Sequence, residues 1–191
     1  PGTSSSGSAA AVGAGMLPLA IGTQLMSSVL RPASYCGHVG IKPTYGAIRQ
    51  DGIHPFSPSG EHVGAHAHAL EDAWLALRFL AREAGPVPGS RGLVGPEDMP
   101  APRQPRRLLR MYTPGWELAD AHVRNAFETA LEKLAHAGIE IVEPSGDADL
   151  EAIEADFARS GWCITEIAAF EMRWPFFEYE KSGGTFHDRI N

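Results

Sequence analysis

The chain has 191 residues, 43% hydrophobic and 20% charged, which is long enough for one sizeable core and typical of a globular protein. Its formal charge of −7 argues against a nucleic-acid or anionic-membrane surface, so neither nucleic acid nor membrane is expected as a partner. Two cysteines, Cys36 and Cys163, make no disulfide framework, and the stretch 17–30 is too short and interrupted for a membrane span or signal peptide, so a reducing, cytoplasmic setting is expected.

The chain opens on a serine-rich turn, Ser4-Ser5-Ser6-Gly7-Ser8, followed by small residues to Gly15. Residues 8–16 are expected as a short buried helix, because such small side chains let other backbone approach closely. Gly13 and Gly15 would each cost a helix about 1 kcal/mol against alanine, and close packing is a reason to keep them. Residues 17–21, apolar and broken only by Pro18, read as a buried strand. A second small polar loop, 22–28, closes at Arg31-Pro32-Ala33. Residues 37–52 are turn-rich, with Pro43, Gly46 and Asp51-Gly52, and 55–64 read as another loop.

Residues 67–83 predict a helix, with Leu70, Trp74, Leu77 and Leu80-Ala81 at helical spacing as its core stripe and Gly85-Pro86 as its end. Residues 86–105 hold six prolines and read as a surface connection. A strand over 108–112 stops at Thr113-Pro114-Gly115. Residues 120–137 predict a helix with Val123, Phe127, Ala130-Leu131 and Leu134 along one face, capped by Gly138. A strand over 139–142 follows, and this order predicts parallel pairing with a right-handed crossover. Residues 150–169 predict a long helix extending towards Trp174, before Pro175, and 176–191 are aromatic and then glycine-rich. The expected class is α/β, a mixed β-sheet packed between helices, in a single domain over 1–191.

Two serine-bearing loops thus flank a helix of small residues. Such loops carry free backbone N–H groups and hydroxyls, which suits anion or oxyanion binding; by composition alone they read as flexible connections. His62, His66 and His68 lie close together, but no nearby cysteine or distal pair completes a ligand set, so no metal is expected. Cys36 lacks the context of a catalytic cysteine.

The stretch from Gly2 to Ala33 resembles the amidase signature family of serine hydrolases, whose motif runs roughly G-G-S-S-G-G-S-A, an alanine-rich helix, then G-T-D-T-G-G-S-I-R-x-P-A. Laid over this chain without a gap, the family's first serine falls on Ser4 and its nucleophile on Ser28, 24 residues later. Gly15, Pro18, Gly22, Thr23, Pro32 and Ala33 fit the same pattern. The likeness continues through Cys36-Gly37, Gly40-Ile41-Lys42-Pro43-Thr44-Tyr45-Gly46, His62-Val63-Gly64 and Glu71-Asp72, essentially the whole chain.

The resemblance implies hydrolysis of a small-molecule amide, without a cofactor, through an acyl-enzyme on Ser28. Ser4 would relay the proton to a lysine and, in the family, sits on a cis peptide bond. The backbone N–H groups of Leu25, Met26, Ser27 and Ser28 would hold the oxyanion. The family's lysine lies upstream of the serine motif, and Lys42 matches a structural position. The chain is therefore expected to be the middle portion of an amidase signature domain, lacking N-terminal and C-terminal segments, whether as a fragment, one part of a split protein or a partial trace of a longer chain. Its uncovered apolar faces would then associate with the missing part or with another copy.

The family's D-T-G-G-S reads Gln24-Leu25-Met26-Ser27-Ser28 here, its arginine two residues after the nucleophile is Leu30, and Arg31 comes one place late, so that its side chain is expected to leave the loop in a different direction. These departures carry the alternative reading, a non-catalytic amidase-like binding or subunit module. An amidotransferase-type subunit is a third reading, although that group keeps the glycines and arginine replaced here.

Overall fold

The computed structural model describes residues 2–181. The described residues form two compact units, one from 2–100 with 166–181 and the other from 101–165. The elements of the first unit begin with α1 (Ser6–Gly13), β1 (Leu19–Gln24), α2 (Leu30–Cys36), β2 (Val39–Ile41), β3 (His62–Ala67) and α3 (Leu70–Ala84).

These strands make one antiparallel sheet in the order β1-β3-β2, with Gly22 opposite Gly64, Ala20 opposite His66, and Gly40 opposite His66 on the other side. Directly opposed residues project to the same face, and successive residues to opposite faces. One face therefore carries Gly22 and Gln24 of β1, His62, Gly64 and His66 of β3, and Gly40 of β2. It lies against α1 and α2, and three of its residues are glycines at points of close approach. A Cβ on Gly64 would stand 2.7 Å from the Ile41 carbonyl oxygen, one on Gly40 2.7 Å from the Ala33 Cβ, and one on Gly22 2.6 Å from Ser5 Oγ. The other face holds Val63, Ala65 and Ala67, which join Ala47, Ile48, Ala73, Ala76 and Leu77 in the core under α3.

The central strand β3 is the largest departure from the sequence expectation, because its first half falls in the stretch read as a loop and its last residue in the stretch read as a helix. Its residues are histidine, glycine, alanine and one valine, with no run of β-branched or aromatic side chains to announce a strand. Burial on both faces selects small residues here. The strand expected at 17–21 begins at Leu19 and runs to Gln24, and it is an edge strand: Leu19 and Ile21 project to the α3 side but stay 36% and 46% exposed.

The expected first helix is found shifted, as α1, with Ala9 and Val12 buried. A Cβ on Gly13 would lie 2.8 Å from the Cys36 Cβ, so close packing accounts for that glycine. Gly15 lies beyond the helix at φ 72°, a left-handed conformation that glycine adopts freely. In α3 Ala73, Ala76 and Leu77 are buried with Leu80 and Ala81 packed against the same core, so the expected stripe holds at Leu77 and Leu80-Ala81 and not at Leu70 and Trp74. Leu70 is exposed, and Trp74 turns its Nε1–H to the Glu97 carbonyl at 3.0 Å.

In the second unit β4 (Arg107–Leu109) pairs in parallel with β5 (Glu140–Val142), as the strand–helix–strand pattern predicts. Between them come α4 (Pro114–Leu118) and α5 (Ala121–His136), the latter capped by Asp120, whose carboxylate accepts the Val123 N–H at 3.0 Å. The long helix is α6 (Ala148–Glu171), which begins in this unit and ends in the first. It is followed by α7 (Arg173–Lys181), where Pro175 lies in the first turn and withholds no intrahelical donor. The expected aromatic tail is helical through Lys181, and its remainder, 182–191, lies outside the described residues. The structure is of the α/β class, with antiparallel pairing in one unit and parallel pairing in the other. Among the described residues no helix is long and apolar enough to cross a membrane.

Candidate active site

The second serine loop leaves β1 at Gln24 and runs into α2, and Gln24 organises it. The side chain is 3% exposed. Its Oε1 accepts the N–H groups of Val29 at 2.9 Å and Leu30 at 3.0 Å, at the N-terminus of α2. Its Nε2 donates to the Met26 carbonyl at 2.9 Å. Residues 25–28 thus fold around one amide that both donates and accepts. A carboxylate, the residue type of the resembled motif, could only accept. The Gln24 carbonyl meets His62 Nδ1 at 3.2 Å. Burial, and then the charge of Lys42, hold His62 below the usual histidine value, with smaller opposing effects from the carbonyls of Gln24 and Gly60 and from Glu61.

The first serine loop is sewn to the same strand. Ser5 Oγ donates to the Thr23 carbonyl at 3.2 Å and Ser8 Oγ to the Ile21 carbonyl at 2.8 Å. Gly2 lies at φ 92°, where a Cβ would stand 2.5 Å from the Pro32 Cα. Thr3, at φ 102°, is a β-branched residue in a region that favours glycine, a strained position at the lip of the site. Its Oγ1 lies 3.5 Å from Ser28 Oγ.

The two loops border one cavity of about 370 Å³. Ser4, Leu25, Met26, Ser27 and Ser28 all line it, so all five site residues read from the sequence come together. Ser4 and Ser28 share no hydrogen bond; the contact to Ser28 comes from Thr3 instead. None of the loop's hydrogen bonds uses the N–H groups of residues 25–28, which remain as donors. Among the described residues no peptide bond is cis. The expected cis bond at Ser4 is therefore absent. A non-proline cis bond is about 3–4 kcal/mol unfavourable and persists only where its surroundings enforce it, and Ser4 is exposed.

The rest of the lining comprises Thr3, Thr23, Arg31, His54, Phe56 and Glu61. Arg31 reaches the same cavity as Ser28, so its displacement by one place does not carry it away from the site. Glu61 is 4% exposed, and its Oε2 accepts the Phe56 N–H at 3.0 Å. Sequence spacing gave no hint of His54, Phe56 or Glu61, because only the folded path of the 54–61 segment brings them to the serine loops. No lysine borders the cavity. Lys42 Nζ donates to the Pro43 carbonyl at 2.9 Å, and burial pushes its pKa down.

The histidines do not form a metal cage. His66 is fully buried and faces His38, Nδ1 to Nε2, at 3.0 Å, while His68 is exposed. Among the described residues no group of three His, Cys, Asp or Glu is arranged to hold a metal ion.

The sequence matches the family model described as Amidase over residues 1–168. Among curated relatives, glutamyl-tRNA(Gln) amidotransferase subunits from Nitratiruptor sp. and Sulfurimonas denitrificans are 31% and 34% identical over 170 residues, 88% of this chain and 36% of each of theirs. The corresponding subunit from Mycoplasma pneumoniae is 53% identical over 75 residues, 39% of this chain and 16% of that protein. Among solved structures, the peptide amidase of Stenotrophomonas maltophilia superposes with a TM-score of 0.56 at 28% identity over 73% of this chain and 30% of that one. The 6-aminohexanoate cyclic dimer hydrolase does so at 0.59 and 28% over 87% and 38%. The chain thus spans 16% to 38% of the length of these proteins.

Proposed function

The chain belongs to the amidase signature family, and from that membership we propose that it forms part of an enzyme hydrolysing a carboxylic amide, with Ser28 as nucleophile and Ser4 as proton relay. The observation that carries this reading is the meeting of Ser4, Ser28 and the donor-bearing 25–28 loop around one cavity. Ser28 Oγ attacks the amide carbon and its proton passes towards Ser4. The carbonyl oxygen gains the electron pair and is held by N–H groups of Leu25, Met26, Ser27 and Ser28. Collapse breaks the C–N bond, the amine leaves with the proton, and water then releases the acid and restores Ser28. The base behind Ser4 would be the lysine of the family's motif; among the described residues no lysine borders the cavity. The substrate is a small-molecule amide, and the reading includes no cofactor.

A single family match running through both units supports one domain over 1–191. An apolar groove along Pro18, Leu19, Leu75, Ala76 and Phe79, with Met16 and Leu17 exposed beside it, supports association with the remainder of such a domain or a second copy. Two free cysteines fit a cytoplasmic setting. A non-catalytic, amidase-like binding or subunit role is favoured by one observation: Thr3, not Ser4, is the hydroxyl bonded to Ser28.

Labelling with a fluorophosphonate probe, read by intact mass, separates the two. An adduct on the wild type that is lost in Ser28→Ala and slowed in Ser4→Ala supports the hydrolase. A folded wild type that takes no label, alone or with the rest of its domain, leaves the binding role.

A further inference from the structure

We propose that Glu171 is a positioning residue for the Ser28 cavity, fixing from the last residue of α6 the segment that forms one of its walls. The proposal rests on the reading of that cavity as the place where Ser28 meets substrate.

Residues 54–61 contribute His54, Phe56 and Glu61 to the cavity. The segment contains no helix or strand; turn bonds from the Gly60 and Glu61 N–H groups to the Ser57 carbonyl, at 3.0 and 2.9 Å, close its end, and side-chain hydrogen bonds hold the rest of its path. Tyr45 Oη donates to the Pro58 carbonyl at 2.6 Å, and two carboxylates add further bonds. Glu61 closes the segment on itself through the Phe56 N–H at 3.0 Å. Glu171 holds it from outside: one carboxylate oxygen accepts Ser57 Oγ at 2.5 Å and the Ser59 N–H at 3.3 Å.

Ser57 is fully buried, so water cannot replace Glu171 as the acceptor of its hydroxyl. Burial raises the proton affinity of Glu171, but the hydrogen bonds from Ser57 and Ser59 outweigh it and keep the carboxylate ionised. The strength of the tether is that of a charge-assisted bond, roughly twice that of a neutral one. Both of its contacts lie within three residues of Phe56, and the side chain of Gln50 adds a further restraint by donating to the Glu61 carbonyl. Freed of Glu171, the segment would keep its residues but lose the geometry in which His54 and Phe56 line the cavity of Ser28.

The test uses Glu171→Leu and Glu171→Gln in the intact protein, with two readouts. Amide hydrogen exchange needs no substrate. Glu171→Leu is expected to speed exchange across 56–61 by about tenfold or more, with β3 and α3 unchanged, whereas Glu171→Gln, which keeps an acceptor oxygen, falls between it and the wild type. Kinetics of Ser28 labelling by the fluorophosphonate probe, separated into probe affinity and the rate of the covalent step, are expected to show weaker affinity with little change in that rate. Unchanged exchange over 56–61 in Glu171→Leu overturns the proposal, as does faster exchange spread equally over β3 and α3, or a loosened segment with unaltered probe affinity. A wild type that never forms a Ser28 adduct removes the hydrolase reading instead, and the exchange result still decides whether Glu171 shapes the cavity wall.

Discussion

The Oε1 of Gln24 accepts the backbone N–H of Val29 at 2.9 Å, and this contact sets the path of the loop that carries Ser28. The same amide takes the Leu30 N–H and gives its own N–H to Met26, so three backbone groups of the loop and of the start of α2 depend on one buried side chain. Gln24→Ala strands all three and is expected to lower stability by about 2–4 kcal/mol in denaturant unfolding. Gln24→Glu keeps both accepted bonds but loses the donor to Met26 and sets a charge against its carbonyl, so its expected cost is about 1–3 kcal/mol. Both should slow Ser28 labelling. Wild-type stability in either variant would show that the loop holds its shape without this amide.

The glycines of the sheet make opposite predictions by position. A Cβ at Gly64 would stand 2.7 Å from the Ile41 carbonyl oxygen and 3.0 Å from a Val29 methyl, and backbone cannot yield there without moving β2. Gly64→Ala is expected to destabilise by about 1–3 kcal/mol. Gly7, within α1, has nothing within 4 Å of its own Cβ position. Gly7→Ala is expected to stabilise by about 0.5–1 kcal/mol. Thermal midpoints of the two variants should move apart, and movement in the same direction would contradict the packing described for β3.

That packing also explains what the sequence could and could not tell. Helix α5 was legible because its boundaries carry signals that act locally, Asp120 at the start and Gly138 at φ 85° past the end. Strand β3 was not, because burial on both faces under close-packed helices selects Gly, Ala and His, which lack the usual marks of a strand. Along α3 helical spacing marks Leu77 and Leu80-Ala81 correctly, but it also marks Leu70 and Trp74, where the core takes Ala73 and Ala76 instead. At the site, Ser4 and residues 25–28 could be read because they form a short motif with fixed spacing. His54, Phe56 and Glu61 sit in a segment without periodicity, and Glu171 meets Ser57 across 114 residues of chain. No local rule reaches such pairs.

The pair of half-buried His38 and fully buried His66 predicts how stability changes with pH. Burial, then repulsion from His38, holds His66 below the usual histidine value; burial also lowers His38, opposed by the Cys36 carbonyl and assisted by His68. The outer nitrogens, His38 Nδ1 and His66 Nε2, are buried without a hydrogen-bond partner of normal geometry. The unfolded chain therefore takes up protons first as pH falls. The stability held by the neutral pair is complete above the ordinary histidine value, about 6.5, and is lost as pH drops through it towards the folded values. Thermal midpoints should fall between about pH 7.5 and about pH 5.5. The double variant His38→Leu/His66→Leu should flatten that slope without abolishing it, since His62 is depressed too. A slope as steep in the double variant as in the wild type would place the acid sensitivity elsewhere.

In the second unit Arg110 offers a test independent of the serine loops. Its side chain is only 12% exposed and pairs with Glu128 of α5 and with Glu143, the latter at 3.4 Å. Its guanidinium also lies over the rings of Tyr112 at 4.5 Å, Trp116 at 5.4 Å and Phe127 at 5.9 Å, while Trp116 packs edge-on against Phe127. None of the residues of α5 is buried, and this arrangement helps hold the helix: its Phe127 ring lies against the Arg110 cation and its Glu128 pairs with it, while Leu131 and Leu134 are half-buried. Lysine keeps the charge but has neither the fork that spans two carboxylate oxygens nor the plane that stacks on rings. Both glutamates are near half-exposed, so water screens part of the ion pairing and the stacking should dominate the loss. Arg110→Lys is therefore expected to destabilise the unit by about 1–3 kcal/mol, visible as faster amide exchange across α5 and β5. Arg110→Met, which keeps flat apolar contact with the rings, should fall within about 1 kcal/mol of the lysine variant. If lysine proves harmless and methionine damaging, the charges hold this unit together and the rings do not.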